Sequence, residues 1–299
     1  MDDHVTDDHR DPARLARMHA SLVGLSVGDA FGDQFFMHAN RHLTSADVPP
    51  APWEWSDDTE MACSVVDCLH THGAIDQDAL ADAFATRMNT GRRYGVGALE
   101  LLERVRRGDP WREASVESFG GNGSYGNGAA MRVAPLGAYY AGDPARAAAE
   151  AARQAEITHA HEEGLAGAVA VAVAASLIAE TPELVYEAVL DHTAGTYVGK
   201  GLRRLGGLAR ATPFRAAEVL GNGSRITAQD TVPFTIWVAL RYLNDYEPGI
   251  RVCVAVGGDM DTTAAIVGGI IAARTGTDGI PPEWLELREP LPAWLNAQR

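Results

Sequence analysis

The chain has 299 residues, of which 46% are hydrophobic, and its formal net charge at pH 7 is −15. The length approaches the upper limit for a single hydrophobic core, so the chain can form either one large domain or two smaller ones. The negative charge argues against a nucleic-acid-binding surface, because phosphate binding needs clustered Lys and Arg.

The N-terminal segment, residues 1–11, is acidic and polar and contains no apolar signal region. We therefore expect a flexible N-terminus followed by one domain over residues 12–299, in a protein that is not secreted. Cys63, Cys68 and Cys253 lack CxxC spacing and lie in apolar stretches, which favours reduced core thiols and a cytoplasmic location. The apolar run over residues 164–179 is too short to span a bilayer and indicates a buried core helix, so no membrane partner is expected.

Apolar residues recur at helical spacing along the chain, beginning with residues 13–37. In this first segment Gly24, Gly28 and Gly32 are four residues apart, which places them on one helix face where another backbone can pack closely. Strand signals are nearly absent, because no alternating run of β-branched residues is bounded by hairpin turns. The sequence therefore predicts an all-α fold with one domain. Further helices are predicted at residues 56–72, 77–89, 96–107, 129–141, 144–157, 162–180, 183–193, 198–210, 214–220, 230–245 and 259–274.

Two acidic clusters, widely separated along the chain, each stand at the start of a predicted helix. Either cluster alone is typical of a solvated helix cap, and Ser56 is a candidate N-cap. Brought together, they would offer four carboxylates and several hydroxyls, which are hard oxygen ligands suited to one or two Mg²⁺ or Mn²⁺ ions. Zinc is disfavoured because neither cluster contains His or Cys. The clusters are Ser56-Asp57-Asp58-Thr59 and Asp259-Met260-Asp261-Thr262-Thr263, the second of which follows the pair Gly257-Gly258.

Two further segments could hold a ligand. The glycine-rich loop of residues 119–128 presents backbone N–H groups that can bind phosphate without a lysine, although a simple flexible turn has the same composition. The loop matches neither the Walker A nor the dinucleotide-binding pattern. His159 lies at another helix start, where it can be a capping residue or can contact a ribose or phosphate. An HD-type phosphohydrolase is not indicated, because no adjacent His-Asp pair lies within a helix.

Five motifs occur in one order over most of the chain, from about residue 18 to residue 275. Together they resemble the ADP-ribosylglycohydrolase family, which includes the dinitrogenase reductase-activating glycohydrolase and the ADP-ribosyl-acceptor hydrolases. Each motif alone would be weak, whereas five in order are specific. The motifs are GLSVGDAFG at residues 24–32, SDDT at 56–59, GSYGNGAAMRVAPLG at 123–137, ITHAH at 157–161 and GGDMDTTAAIVGGIIAA at 257–273.

The resemblance implies a compact orthogonal bundle of about a dozen helices with a dinuclear Mg²⁺ or Mn²⁺ site. It also implies hydrolysis of the glycosidic bond between ADP-ribose and an acceptor, on an ADP-ribosylated protein or small molecule. The implied catalytic residues are Asp57, Asp58 and Asp261. The implied metal ligands are Ser56, Asp57, Asp58, Asp259, Asp261 and Thr262, and the implied ADP-ribose contacts are Gly123, Ser124, Tyr125, Gly126, Asn127 and His159.

One position departs from the family pattern. Several members carry a Glu a few residues after the first motif, where it gates the pocket and assists catalysis, and here the aligned residue is Phe36. Asp33 is a possible substitute for that acid, or the chain works with the metal centre alone.

Cleavage of the target bond builds positive charge on the ribose. The hypothesis is that a water activated at the metal centre attacks C1 of the ribose while Asp57 or Asp261 takes its proton. Two alternatives stay open: a catalytically weak relative that binds ADP-ribose or a nucleotide, and a metal-dependent phosphohydrolase that cuts the diphosphate.

Overall fold

The computed structural model describes residues 10–296, which form seventeen α-helices joined by loops and short 3₁₀ turns. Within this range no residue belongs to a β-strand, and the helices pack around one hydrophobic core. The predicted all-α fold is therefore confirmed, with more and shorter helices than the dozen expected. The helices are α1 (Pro12–Asp33), α2 (Asp57–His72), α3 (Gln77–Arg87), α4 (Val96–Arg106), α5 (Trp111–Gly121), α6 (Gly128–Met131), α7 (Ala134–Tyr139), α8 (Pro144–Glu156), α9 (Glu162–Ser176), α10 (Pro182–His192), α11 (Tyr197–Leu202), α12 (Pro213–Leu220), α13 (Ala228–Arg241), α14 (Tyr246–Ala255), α15 (Met260–Thr275), α16 (Pro282–Leu287) and α17 (Ala293–Asn296).

The start of α1 follows from its capping residue. Most of the N-terminal segment for which flexibility is predicted, residues 1–9, lies outside the described part of the chain, as do residues 297–299. The Asp11 carboxylate accepts hydrogen bonds from the backbone N–H groups of Ala13 and Arg14, both at 3.2 Å. Pro12 follows at the first helical position, where its missing N–H leaves no bond unmade.

Several helix boundaries differ from the predicted ones. The first helix ends at Asp33 and continues as two 3₁₀ turns, not as an α-helix to residue 37. The predicted helix over residues 129–141 is two helices, α6 and α7, and Pro135 lies in the first turn of the second. The segment predicted at 198–210 is α-helical in α11 and then becomes the 3₁₀ turn Arg203–Gly207. Four helices, α5, α14, α16 and α17, are absent from the predicted set.

The glycine face of α1 packs directly on the backbone of α15, as the spacing predicts. A Cβ atom added at Gly24 would lie 2.3 Å from the Cβ of Ala272, and one added at Gly28 would lie 2.3 Å from the carbonyl oxygen of Ala264. At Gly32 an added Cβ would lie 2.4 Å from the carbonyl oxygen of Met260. No side chain larger than hydrogen fits between the two helices at these points. The second acidic cluster, at the start of α15, is thereby held against the end of α1.

A buried aromatic cluster fixes the loop that leads into α2. The Phe31 ring stacks on Trp284 with centroids 4.2 Å apart, and Trp53 packs edge-on against both. The backbone N–H of Trp53 donates to the carbonyl of Leu287 at 2.8 Å, and its own carbonyl accepts from Glu289 at 2.9 Å. Because α2 begins a few residues after Trp53, this cluster helps to fix the chain that leads into the first acidic cluster.

The apolar run over residues 164–179 forms most of α9, which is buried along most of its length, as a core helix should be. None of the described helices is both long and apolar enough to cross a membrane.

Candidate active site

The starts of α2 and α15 meet at one cavity of about 430 Å³. The two acidic clusters, remote in the sequence, therefore face a common space, and the glycine-rich loop and His159 line the same cavity. The residues of the predicted site that line it are Asp57, Asp58, Asp259, Asp261, Thr262, Ser124, Tyr125, Gly126, Asn127 and His159.

Ser56 and Gly123 belong to the predicted site but do not line the cavity. Ser56 is the N-cap of α2, as predicted, because its hydroxyl accepts a hydrogen bond from the backbone N–H of Asp58 at 3.2 Å. Gly123 has a φ of 70°, and a Cβ atom there would lie 2.8 Å from the backbone nitrogen of His161. These two residues shape the backbone of the site from behind.

Asp29, a residue of α1, holds the start of α2 in place. Its carboxylate accepts hydrogen bonds from the backbone N–H groups of Ser56 (3.0 Å) and Thr59 (3.1 Å) and from the Thr59 hydroxyl (2.5 Å). Asp29 is not among the site residues predicted from the sequence, although an acidic residue within an apolar helix is a signal that can reveal such a role. Its contacts make α2 depend on α1 for two of its free N–H groups.

Burial first, and mutual repulsion second, disfavour the charged form of the carboxylates at the cavity. Burial, together with the charges of Asp29 and Asp259, raises the pKa of Asp57 to about 8. Burial raises the pKa of Asp58 well above its usual range, with further contributions from Asp29 and Asp261. The pKa of Asp261 is raised in the same way, by burial and then by Asp259. A cation among these groups would relieve the repulsion.

The donor set fits a hard divalent cation. Asp58 Oδ2 is buried and has no hydrogen-bond partner among residues 10–296, as expected of an oxygen that binds a metal ion. Over the same range, no three His, Cys, Asp or Glu side chains are grouped so that they could hold a metal ion. The carboxylates are close enough to raise one another's pKa.

The second half of the acidic cluster is connected to the glycine-rich loop. Asn127 donates a hydrogen bond from Nδ2 to Asp259 Oδ2 at 2.7 Å and another to the Thr231 hydroxyl at 3.0 Å. Gly258, just before Asp259, has a φ of 83°, and a Cβ atom there would lie 2.2 Å from the carbonyl oxygen of Asn222. The backbone of Gly258 therefore lies close to that of Asn222, which leaves no room for a side chain there.

His159 and His161, two residues apart, have different surroundings. His161 caps α9, and its Nδ1 accepts a hydrogen bond from the backbone N–H of Glu163 at 3.1 Å. His159 is buried and lines the cavity, and burial, reinforced by the positive charge of Arg132, lowers its pKa to about 3. His159 is therefore neutral at physiological pH. The residue that caps α9 is His161 and not His159.

Backbone strain is concentrated at the cavity. Among the described residues, three that are not glycine have positive φ, namely Arg93 (66°), Phe119 (52°) and Ile226 (54°), and all three line the cavity. For a β-branched residue such as Ile226 this conformation is rare and costly. Such strain persists where the surrounding structure requires it, and it often accompanies a functional site.

The family model described as ADP-ribosylglycohydrolase matches residues 10–298. The chain belongs to the ADP-ribosylglycohydrolase family.

Relatives span nearly the whole chain. The ADP-ribosylhydrolase ARH3 of Xenopus tropicalis is 30% identical over 319 residues, covering 91% of this chain and 91% of its own. The ADP-ribosylarginine hydrolase Tri1 of Pseudomonas putida is 26% identical and covers 91% of this chain and 74% of its own. A solved structure titled ADP-ribosylglycohydrolase-related protein complex superposes with a TM-score of 0.62 at 26% identity, over 96% of each chain.

This ADP-ribosylglycohydrolase therefore hydrolyses the glycosidic bond between ADP-ribose and an acceptor, which confirms the activity predicted from the five motifs. The family match also extends beyond the region of those motifs, to residues 10–298.

The departure at Phe36 can be located in this ADP-ribosylglycohydrolase. Phe36 ends a 3₁₀ turn, is 48% exposed and does not line the cavity. Asp33, its possible substitute, is fully buried and does not line the cavity either. One oxygen of Asp33 lies 2.7 Å from Nε of Arg93, and burial raises its pKa to about 7. Arg93 therefore lines the cavity, and Asp33 lies behind it as its ion-pair partner.

Proposed function

We propose that this ADP-ribosylglycohydrolase is metal-dependent, with two divalent cations, Mg²⁺ or Mn²⁺, bound between the starts of α2 and α15. The observation that carries the proposal is the convergence of carboxylates from both starts on one cavity, with a buried oxygen of Asp58 left without a partner. Oxygen ligands of this kind suit Mg²⁺ and Mn²⁺. The ligands would be Asp57, Asp58, Asp259, Asp261 and Thr262 at the cavity, with Ser56 behind them.

Bound cations would supply Lewis-acid activation of a water and of the ribose hydroxyls. The side chains supply the rest of the chemistry. Asp57 and Asp261 both line the cavity, and either can take the proton of the water that attacks C1. Asp58, buried beside them, adds negative charge close to the ribose, where positive charge develops as the bond breaks.

The glycine-rich loop is the proposed holder of the remote part of the substrate. Ser124 and Asn127 are buried at the cavity, whereas Tyr125 is 42% exposed at its opening. Contacts far from the reacting carbon place C1 against the carboxylates, so that binding energy is used to orient the bond that breaks. The hydrogen bond from Asn127 to Asp259 connects the two ends of the site directly.

Chelation and restoration test the metal requirement. Removal of divalent ions should abolish turnover of an ADP-ribosylated substrate, and added Mg²⁺ or Mn²⁺ should restore it. Asp57→Asn should remove activity while the matched variant Asp82→Asn, changed on an exposed position of α3, should keep it. Full turnover by protein whose metal content is far below one ion per chain would overturn the proposal.

Analysis of the products distinguishes glycosidic cleavage from cleavage of the diphosphate and from binding without turnover. Glycosidic cleavage releases free ADP-ribose, whereas cleavage of the diphosphate releases AMP and a ribose phosphate. A relative that only binds would show ADP-ribose binding by calorimetry with no turnover at all.

The acceptor is the finer part of the proposal, and a panel of defined substrates decides it. One relative is named for arginine, so ADP-ribosylarginine belongs in the panel beside serine-linked, base-linked and small-molecule ADP-ribose. We also propose a cytoplasmic location, supported by three buried cysteines that form no disulfide.

A further inference from the structure

A chain of buried hydrogen bonds leads from α8 to His159. Gln154 is fixed by donating from Nε2 to the carbonyl of Ala129 at 3.0 Å. Arg132 donates from Nε to Gln154 Oε1 at 2.7 Å and from Nη2 to the Thr158 hydroxyl oxygen at 2.9 Å. The Thr158 hydroxyl in turn lies 2.7 Å from Nδ1 of His159. These four side chains are all buried.

The direction of the hydrogen bond between Thr158 and His159 follows from the bond that Arg132 donates to Thr158. A guanidinium group can only donate, so the Thr158 oxygen accepts from Arg132. Among residues 10–296, the hydroxyl has contacts with Arg132 and with His159, so its own proton has Nδ1 of His159 as the available acceptor. The opposite arrangement would leave a buried hydroxyl proton without an acceptor, which is costly. Nδ1 is therefore an acceptor, and in a neutral imidazole the proton is then on Nε2.

The loop glycines leave this Nε2 edge uncovered. A Cβ atom added at Gly126 would lie 3.3 Å from Nε2 of His159, and one added at Gly128 would lie 3.2 Å from it. Neither glycine has a positive φ, so the backbone conformation does not require glycine at these two positions. At Gly128 the nearest atoms are those of the His159 ring, and at Gly126 the Ser124 Oγ atom, at 3.2 Å, restricts the space together with His159.

We propose that Gln154, Arg132 and Thr158 fix His159 as a neutral imidazole that donates from Nε2–H to an anionic oxygen of the bound ADP-ribose diphosphate. The identity of that ligand rests on the proposed function, whereas the tautomer does not. Arg132 and Thr158 are positioning residues here, because they act through His159. The imidazole is a fixed hydrogen-bond donor and transfers no proton during turnover.

The tautomer can be observed directly in the full chain by ¹⁵N–¹H correlation of its histidine rings, assigned with His159→Asn. Wild-type protein without ligand or metal should show a neutral ring protonated on Nε2 from pH 5.5 to pH 8. Thr158→Val removes the hydroxyl at similar volume, and it should give a mixture of ring states and weaken ADP-ribose binding about tenfold, as expected for a hydrogen bond to a charged group. Thr158→Ser, which keeps the hydroxyl, should retain both the wild-type ring state and the wild-type affinity for ADP-ribose.

An Nδ1-protonated or doubly protonated ring in the wild-type protein would overturn the inference, as would an unchanged ring in a folded Thr158→Val variant. If Thr158→Val does not fold, the wild-type spectrum and Thr158→Ser still decide. Because the spectrum needs no ligand, failure of the proposed function has a different signature: metal-loaded wild-type protein would not bind or cleave an ADP-ribosyl compound, while the ring state stayed as stated.

Discussion

Replacement of Gly28 by alanine tests the contact that holds the two halves of the site together. The added Cβ would lie 2.3 Å from the carbonyl oxygen of Ala264, and ordinary contact begins at 3.4 Å, so α1 and α15 must separate by about 1.1 Å, the difference of the two distances. Overpacking of this kind costs about 1–3 kcal/mol, and the better helix propensity of alanine offsets about 1 kcal/mol. The overpacking cost should be about 3 kcal/mol, the upper end of that range, because a backbone atom cannot rotate away, so we expect a net loss of about 2 kcal/mol.

Thermal unfolding and turnover measure the two consequences. A loss of about 2 kcal/mol lowers the melting temperature by about 3 °C in a chain of this size. A displacement near 1 Å between catalytic groups can cost on the order of a hundredfold in rate. The matched control is Gly206→Ala, because Gly206 is exposed and its added Cβ would meet nothing within 4 Å.

Alanine variants at the three glycines of α1 should differ in how much activity they lose, because the glycines lie at different distances from the cavity. Gly24→Ala, at the end of the contact far from the cavity, should lower stability while it spares more of the turnover than Gly28→Ala does. Gly32→Ala, whose added Cβ would lie 2.7 Å from the Cα of Asp261, should affect turnover most. If Gly28→Ala melts and turns over like Gly206→Ala, the close packing of α1 on α15 is refuted.

Three further outcomes are expected. The Asp57 pKa is about 8 in the folded protein and near 3.8 when unfolded, so its contribution to stability is full below about pH 4 and is lost as pH rises through 8. The melting temperature of metal-free protein should therefore fall from pH 5 to pH 8, and less so in Asp57→Asn or with Mg²⁺ present. Arg93→Gly should be more stable than Arg93→Ala by about 1 kcal/mol, because both lose the ion pair with Asp33 but glycine accepts a φ of 66°, and chemical denaturation measures the difference. Ser124→Ala should weaken ADP-ribose binding in calorimetry more than it lowers the maximal rate, because Ser124 belongs to the holding loop.

The fold was predictable where capping and periodicity agree. For α2, the N-cap Ser56 and the following apolar pattern place the helix within one residue of its observed bounds. The missed helix α14 has Pro248 in its first turn, and a proline more often marks a turn or the end of a helix. The missed helix α5 ends in left-handed conformations at Phe119 and Gly120, inside the loop that the sequence marks as glycine-rich. Local pattern does not reveal a helix whose stability depends on its neighbours.

The residues of the site were predictable as types, but their partners were not. Carboxylates at two helix starts indicate a shared cation, yet the bonds from Ser56 and Thr59 to Asp29 span 27 and 30 residues. Likewise, the bond between Arg132 and Thr158 spans 26 residues and determines the state of the adjacent His159. Contacts of this range depend on how helices pack, which no short pattern specifies.

Two adjacent residues of the first motif, Gly28 and Asp29, contact different helices and explain why the motif has this sequence. Gly28 removes a side chain so that α15 approaches to backbone contact, which determines the position of Asp259 and Asp261. Asp29, the next residue, reaches the other way and caps the start of α2, which determines the position of Asp57 and Asp58. The same turn of α1 therefore positions both halves of the acidic cavity. A rigid turn of this kind keeps the mutually repelling carboxylates at a constant separation, which any pair of bound cations would need.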